Sequence, residues 1–206
     1  SNYGELLVIE YRNGDYVERR YLNDQLIQNT YDPITRKSRS LFSGALRWLA
    51  HAYTPKLEKA LCIGMGVGVV PMQLVHDGIA VDVVEINGAV VPMAEQHFDF
   101  DSPKLKVIIS DGRQYLNQTD KRYDAIILDA FLGDSTPSHL MTQEAFTSIR
   151  EHLSPTGVLV TSVQLTAMRH KVCVFWFLCS WNNRNLSLDN LSYDDNTNGA
   201  PLVISS

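Results

Sequence analysis

The stretch Lys59-Ala60-Leu61-Cys62-Ile63-Gly64-Met65-Gly66-Val67-Gly68 decides how this chain is read. Ala60 to Ile63 is a short apolar run that predicts a buried parallel strand. Three alternating glycines follow at once, and Val69, Val70, Met72, Leu74 and Val75 then take up helical spacing. Glycine permits a sharp turn and lets a ligand lie against bare backbone, while a helix N-terminus presents free N–H groups to it. The next strand pattern, Val81-Asp82-Val83-Val84-Glu85, closes on a carboxylate about 20 residues beyond the glycines, where a nucleotide ribose is held in folds of this kind.

Downstream, strands and helices alternate. Strands are expected at 59–63, 80–85, 105–109, 124–129 and 157–163, with helices at 67–77, 88–97, 112–118 and 142–152. Runs such as Val107-Ile108-Ile109 and Ala125-Ile126-Ile127-Leu128 are apolar without alternation, as strands buried on both faces are. The fold class is therefore α/β, a doubly wound Rossmann-like sheet with helices on both sides. Val172 to Trp181 and Pro201 to Ser205 are expected as a sixth and a seventh strand, with the Asn-rich 181–199 between them as a loop.

Upstream, Leu6 to Tyr11, Tyr16 to Leu22 and Gln25 to Thr30 read as a small antiparallel β-meander, with turns at Asn13-Gly14 and Asn23-Asp24. Pro33 ends it, and Thr35 to Arg39 reads as a linker. From Ser40 the period changes, and Leu41, Phe42, Ala45, Leu46 and Leu49 define one face of a helix that Pro55 stops. Two domains are expected: residues 1–34, the meander, and residues 40–206, a nucleoside-binding domain whose segment 171–206 is irregular.

Composition narrows the class. Over 206 residues, 45% hydrophobic and 20% charged content suits a soluble globular protein. A net charge of −5 advertises no nucleic-acid field. Cys62, Cys173 and Cys179 form no C-x-x-C pair, which favours a reducing, cytoplasmic compartment over a disulfide framework. The longest apolar run, from Val172, is too short to span a bilayer, so no membrane association is expected.

In an open α/β sheet, ligands bind outside the carboxyl ends of the strands. The glycines Gly64, Gly66 and Gly68, then Glu85, then Asp111-Gly112 and finally Asp129 all fall at such ends. The glycine spacing is G-x-G-x-G, and a carboxylate after the third strand would suit an exocyclic adenine amine. This pattern resembles the class I S-adenosylmethionine-dependent methyltransferase fold, and within it the spermidine synthase-like aminopropyltransferases. The residues that carry the resemblance are Ile63 to Gly68, Val84-Glu85-Ile86-Asn87, Ser110-Asp111-Gly112-Arg113 and Tyr123 to Asp129.

The resemblance implies a transferase of polyamine biosynthesis that uses decarboxylated S-adenosylmethionine, or S-adenosylmethionine, as co-substrate and needs no metal. Glu85 would hold the ribose hydroxyls, Asp111 and Gly112 the adenine, and Gln28 the sulfur-bearing tail. Asp129 matches the first acid of the family's Asp-Ser-Ser-Asp-Pro loop. Asp134, two residues further away than in that pattern, matches the second, and the two form the expected catalytic pair. A small amine would be the acceptor, and a homodimer the assembly. The family's Asp-Glu pair and its later Tyr-Glu-His are replaced by Tyr31-Asp32-Pro33 and Leu41-Phe42-Ser43-Gly44. A methyltransferase with the same pocket and a non-catalytic nucleoside-binding relative therefore stay open as alternatives. Among lesser candidates, Phe98 of His97-Phe98-Asp99-Phe100-Asp101 reads as a core contact and its acids as a solvated loop, and His139 as either a solvent-facing loop residue or a substrate contact.

Overall fold

The computed structural model describes residues 3–131 and 137–162. The chain opens with strands β1 (Leu6–Asn13), β2 (Tyr16–Asn23), β3 (Leu26–Asp32) and β4 (Lys37–Ser38), paired antiparallel in that order. Asn13 pairs with Tyr16, so Gly14 and Asp15 form the first two-residue turn. Asn23 pairs with Leu26, and the second turn is tied down from outside: Asp24 donates its N–H to the Glu5 carbonyl at 3.0 Å and accepts from the Glu5 N–H at 2.9 Å. The segment expected as a linker instead returns to the sheet, since Lys37 and Ser38 pair with Asp32 and Tyr31. The Asp32 carboxylate makes that return by accepting from the Ile34 and Thr35 N–H groups at 2.9 and 3.1 Å, a local turn that the proline only assists.

Then follow α1 (Leu41–Tyr53), β5 (Lys59–Ile63), α2 (Val69–His76), β6 (Ala80–Glu85), α3 (Val90–His97), β7 (Lys106–Ile109), α4 (Gly112–Gln118), β8 (Tyr123–Leu128), α5 (Gln143–Glu151) and β9 (Leu153–Thr161). The five strands from β5 onward form one parallel sheet in the order β7-β6-β5-β8-β9. β9 begins earlier than the expected 157, because Leu153 already pairs with Tyr123 before a register break that ends at Val158. The expected sixth and seventh strands, the Asn-rich segment between them and Asp134 lie outside the described residues.

Pleating explains the unbroken apolar runs. Ala60 and Cys62 join the cluster that holds Leu46, Leu49 and Ala50 of α1, Leu74 of α2 and Ala94 of α3. Leu61 and Ile63, pointing the other way, join Leu116 of α4 and Ile149 of α5. Both faces are covered, so each side chain removed from water contributes about 1.5–3 kcal/mol. On α1 the buried face centres on Leu46, Leu49 and Ala50, which leaves Leu41 outside it at 91% exposure. Among the described residues no helix is long and apolar enough to cross a membrane.

The antiparallel sheet docks through a third cluster, Tyr21 and Tyr31 against Val67 and Phe98. Tyr31 meets the edge of the Phe98 ring at a centroid distance of 5.7 Å and donates its hydroxyl to Asp99 at 2.5 Å, while Arg19 donates to the His97 carbonyl. His97 to Asp101 is thus a docking segment: Phe98 and Phe100 are buried, while Asp99 keeps the exposure expected of a solvated loop and still reaches Tyr31.

Two-sided burial sets a clear expectation for stability. Leu61→Ala should cost about 2–5 kcal/mol in urea denaturation, whereas Leu41→Ala should change it by no more than about 0.5 kcal/mol. Equal effects from the two substitutions would contradict the packing described.

Candidate active site

The site begins where β5 leaves the sheet. Gly64 donates its N–H to the Val84 carbonyl at 2.8 Å, and Asp129 donates its own to the Ile63 carbonyl at 2.9 Å, so the ends of β6, β5 and β8 are stitched together. Gly64 sits at φ 84°, and a Cβ there would lie 2.4 Å from the Asp129 carbonyl oxygen. Only glycine lets these two backbones pass so closely. Strand order reverses at this point, with β6 on one side of β5 and β8 on the other. That is the topological switch at which open α/β sheets leave a crevice.

The other glycines divide the work. No atom lies within 4 Å of where a Cβ on Gly66 would be, so that turn stands open to the cavity. Gly68 does something else. A Cβ on it would lie 2.2 Å from the Phe100 ring, and it is not among the residues lining the cavity. Gly68 seats Phe100 beneath the turn and caps α2. At Gly112 a Cβ would meet the Ile63 side chain at 2.4 Å, so this residue brings the first turn of α4 down onto β5 while also lining the cavity.

Three carboxylates surround this crevice, each in a different electrostatic state. Glu85, at the end of β6, is 8% exposed and accepts from the Met65 N–H at 3.0 Å and the Asn87 N–H at 2.8 Å. Burial raises its pKa, and those amide donors offset only part of the rise. It braces the glycine turn and keeps lone pairs for further donors. Asp111 caps α4 by accepting from the Gln114 N–H at 3.0 Å, and its second oxygen contacts His139 Nε2 at 2.7 Å. Its burial acts to raise the pKa, but the Gln114 amide and His139 outweigh it and hold the carboxyl below its ordinary value. Asp129, at the end of β8, accepts from the hydroxyl of Ser162, a buried residue just after β9. Burial pushes Asp129 up to about 6, against which the Ser162 bond acts only weakly.

The antiparallel sheet closes the crevice from the other side. Tyr21 pairs with Asn29 and Leu22 with Ile27, so Gln28 is the extra residue of a β-bulge. Bulges re-aim side chains next to sites, and Gln28 lines the cavity with Tyr21, Asn23 and Asn29. Of the expected residues, Gln28, Gly64, Gly66, Glu85, Asp111, Gly112 and Asp129 are brought together around one cavity. His139 stays exposed, as a loop histidine would, and also lines the cavity, bonded to Asp111 across 28 positions. Tyr21, buried in the field of Glu85, has its phenol pushed up to about 12, by burial first and by Glu85 second. Strand alternation could have pointed to Tyr21; no local pattern could have given His139 its partner Asp111. Among the described residues, no group of three His, Cys, Asp or Glu side chains is placed to hold a metal ion.

Residues 24–176 match the model of the spermine/spermidine synthase domain family. The polyamine aminopropyltransferase of Vibrio vulnificus is 32% identical over 183 residues, covering 81% of this chain and 58% of that protein. A probable polyamine aminopropyl transferase of Bifidobacterium longum is 30% identical over 162 residues, covering 73% of this chain and 36% of that protein. The chain thus spans less than two thirds of the length of these relatives. Spermidine synthase from Thermotoga maritima superimposes with a TM-score of 0.64 at 22% identity, over 79% of this chain and 55% of that one. Human methyltransferase-like protein 13 in complex with SAH does so with a TM-score of 0.50 at 23% identity, over 63% of this chain and 65% of that one. Glycine turn, strand-end carboxylates and antiparallel sheet therefore sit on a Rossmann-like, methyltransferase-type fold, and the chain belongs to the spermine/spermidine synthase family.

Proposed function

We propose that this chain binds an adenosyl-sulfonium donor and transfers its aminopropyl group to an amine acceptor, the reaction named for its relatives. The observation that carries this reading is Asp129, which lines the cavity beside the glycine turn at the switch point. In the proposed pose the donor's tail crosses this turn. A carboxylate there repels the carboxylate tail of S-adenosylmethionine and attracts the ammonium that decarboxylation leaves.

The rest of the lining supports the same pose. Glu85 takes the ribose hydroxyls, Asp111 and Gly112 the adenine, Gln28 the sulfur-bearing tail, and Gly64 and Gly66 pass beneath. The donor supplies a sulfonium leaving group, so the protein has only to bring a neutral amine in line with the carbon under attack. The new N–C bond forms as the C–S bond breaks, and the proton lost from nitrogen goes to a carboxylate. Asp129, with its pKa raised to about 6, suits that task near neutral pH. Asp134 is proposed as its partner. The acceptor is a small amine, the assembly a homodimer and the compartment the cytoplasm.

Methyl transfer is the second reading, favoured by a 34% identity over 107 residues to an N-terminal histidine N-methyltransferase of Emericella nidulans, 50% of this chain and 19% of that protein. Calorimetric titration with S-adenosylmethionine, its decarboxylated form and methylthioadenosine separates the two. Aminopropyl transfer requires the decarboxylated donor to bind more tightly than the parent; the reverse order establishes the second reading.

Glu85→Ala should weaken methylthioadenosine binding by about 1.5–3 kcal/mol, the range for hydrogen bonds to a charged group. Unchanged affinity in that titration removes the ribose assignment. Asp129→Asn should leave nucleoside affinity intact and lower turnover with an amine acceptor by roughly 10²–10⁴. The same substitution tests the buried charge. Because the folded-state pKa of Asp129 is raised from 3.8 to about 6, its protonated form is favoured by folding, so stability is complete below pH 4 and falls as pH rises toward and past 6. Thermal melts should therefore show Asp129→Asn above the unmodified chain at pH 7 and level with it near pH 4.

A further inference from the structure

Asp111 and His139 make a contact that neither residue's neighbours in sequence explain. The Asp111 carboxylate is held at both ends, by the Gln114 N–H at 3.0 Å on Oδ1 and by His139 Nε2 at 2.7 Å on Oδ2. One bond alone would leave the second oxygen free to swing; two fix the carboxylate plane. His139 in turn stands on a rigid support. It lies in a short 3-10 turn, Ser138–Leu140, closed by Leu140 N–H to the Pro137 carbonyl at 2.9 Å and by Met141 N–H to the Ser138 carbonyl at 3.0 Å. Its neighbour Leu140 is buried at 4% exposure in the cluster around Ile63. The His139 side chain itself keeps 45% exposure and lines the cavity. It is therefore placed by the core and presented to whatever the cavity takes.

The hydrogen-bond roles follow from elementary chemistry. An ionised carboxylate only accepts, so Nε2 carries the proton that binds Asp111. Asp111 offers acceptors alone to the cavity. We propose that His139 is a positioning residue that locks Asp111 as an acceptor for the exocyclic amine of a 6-aminopurine, so that the pair selects an adenine base over a 6-oxopurine. This rests on the reading of the cavity as an adenosyl pocket. A 6-oxo group would set a carbonyl oxygen against acceptors, and a site built to accept a donor rejects an analogue that lacks one.

The test is calorimetric titration of the full chain with 5′-methylthioadenosine and 5′-methylthioinosine, which differ in that one group. The unmodified chain should bind the 6-amino nucleoside roughly tenfold or more tighter. His139→Ala should reduce that ratio to within about threefold, and His139→Gln, whose amide N–H can reach Asp111, should restore most of it. The ratio is the informative quantity, because a uniform loss of folded protein lowers both affinities and leaves it unchanged. If His139→Ala keeps the full ratio, or if the unmodified chain binds both nucleosides equally, this proposal is overturned while the nucleoside pocket stands. If the unmodified chain binds neither, the adenosyl reading fails and this inference fails with it.

Discussion

The backbone of β5 leaves the sheet against the backbone of β8, and no room remains at position 64 for a side chain: a Cβ would lie 2.4 Å from the Asp129 carbonyl oxygen and 2.8 Å from the Ala130 Cα. Everything at the site depends on that passage. It turns the Met65 N–H toward Glu85, which accepts from it, and it fixes the backbone from which the Asp129 carboxyl projects. A larger residue would part β5 from β8, and the carboxylates at their ends would lose their common frame.

Given that frame, electrostatics distinguishes carboxylates that sequence alone treats alike. Glu85 and Asp129 are raised by burial, while Asp111 is held low by the Gln114 amide and His139. A group kept partly protonated near neutrality can exchange a proton with substrate; one kept ionised serves as a fixed acceptor.

The antiparallel sheet is part of the pocket and not an ornament upon it. Tyr21 and Tyr31 anchor it against Val67 and Phe98, directly beside the glycine turn. Once it is anchored, the bulge at Gln28 brings an otherwise ladder-bound position to the cavity. The sheet docks through aromatic burial and lines the cavity with Tyr21, Gln28 and Asn29, so its docking also shapes the cavity.

The sequence by itself determined the doubly wound sheet, the positions of its first five parallel strands to within a few residues, the glycine turn, and the placement of Glu85, Asp111 and Asp129 on one edge. These are local properties: apolar runs report two-sided burial, helical periods report covering elements, and a residue at a strand's carboxyl end inherits its location from the fold class. Only the tertiary structure decided that Gly68 seats Phe100, that Lys37 and Ser38 return to β3, that Gln28 is bulged, that Ser162 meets Asp129, and that His139 reaches Asp111. Each of these is a meeting of residues that no local period relates, such as the 28 positions between Asp111 and His139. Periodicity shows which face of an element is buried; which residue waits on the other side is set by how the elements pack.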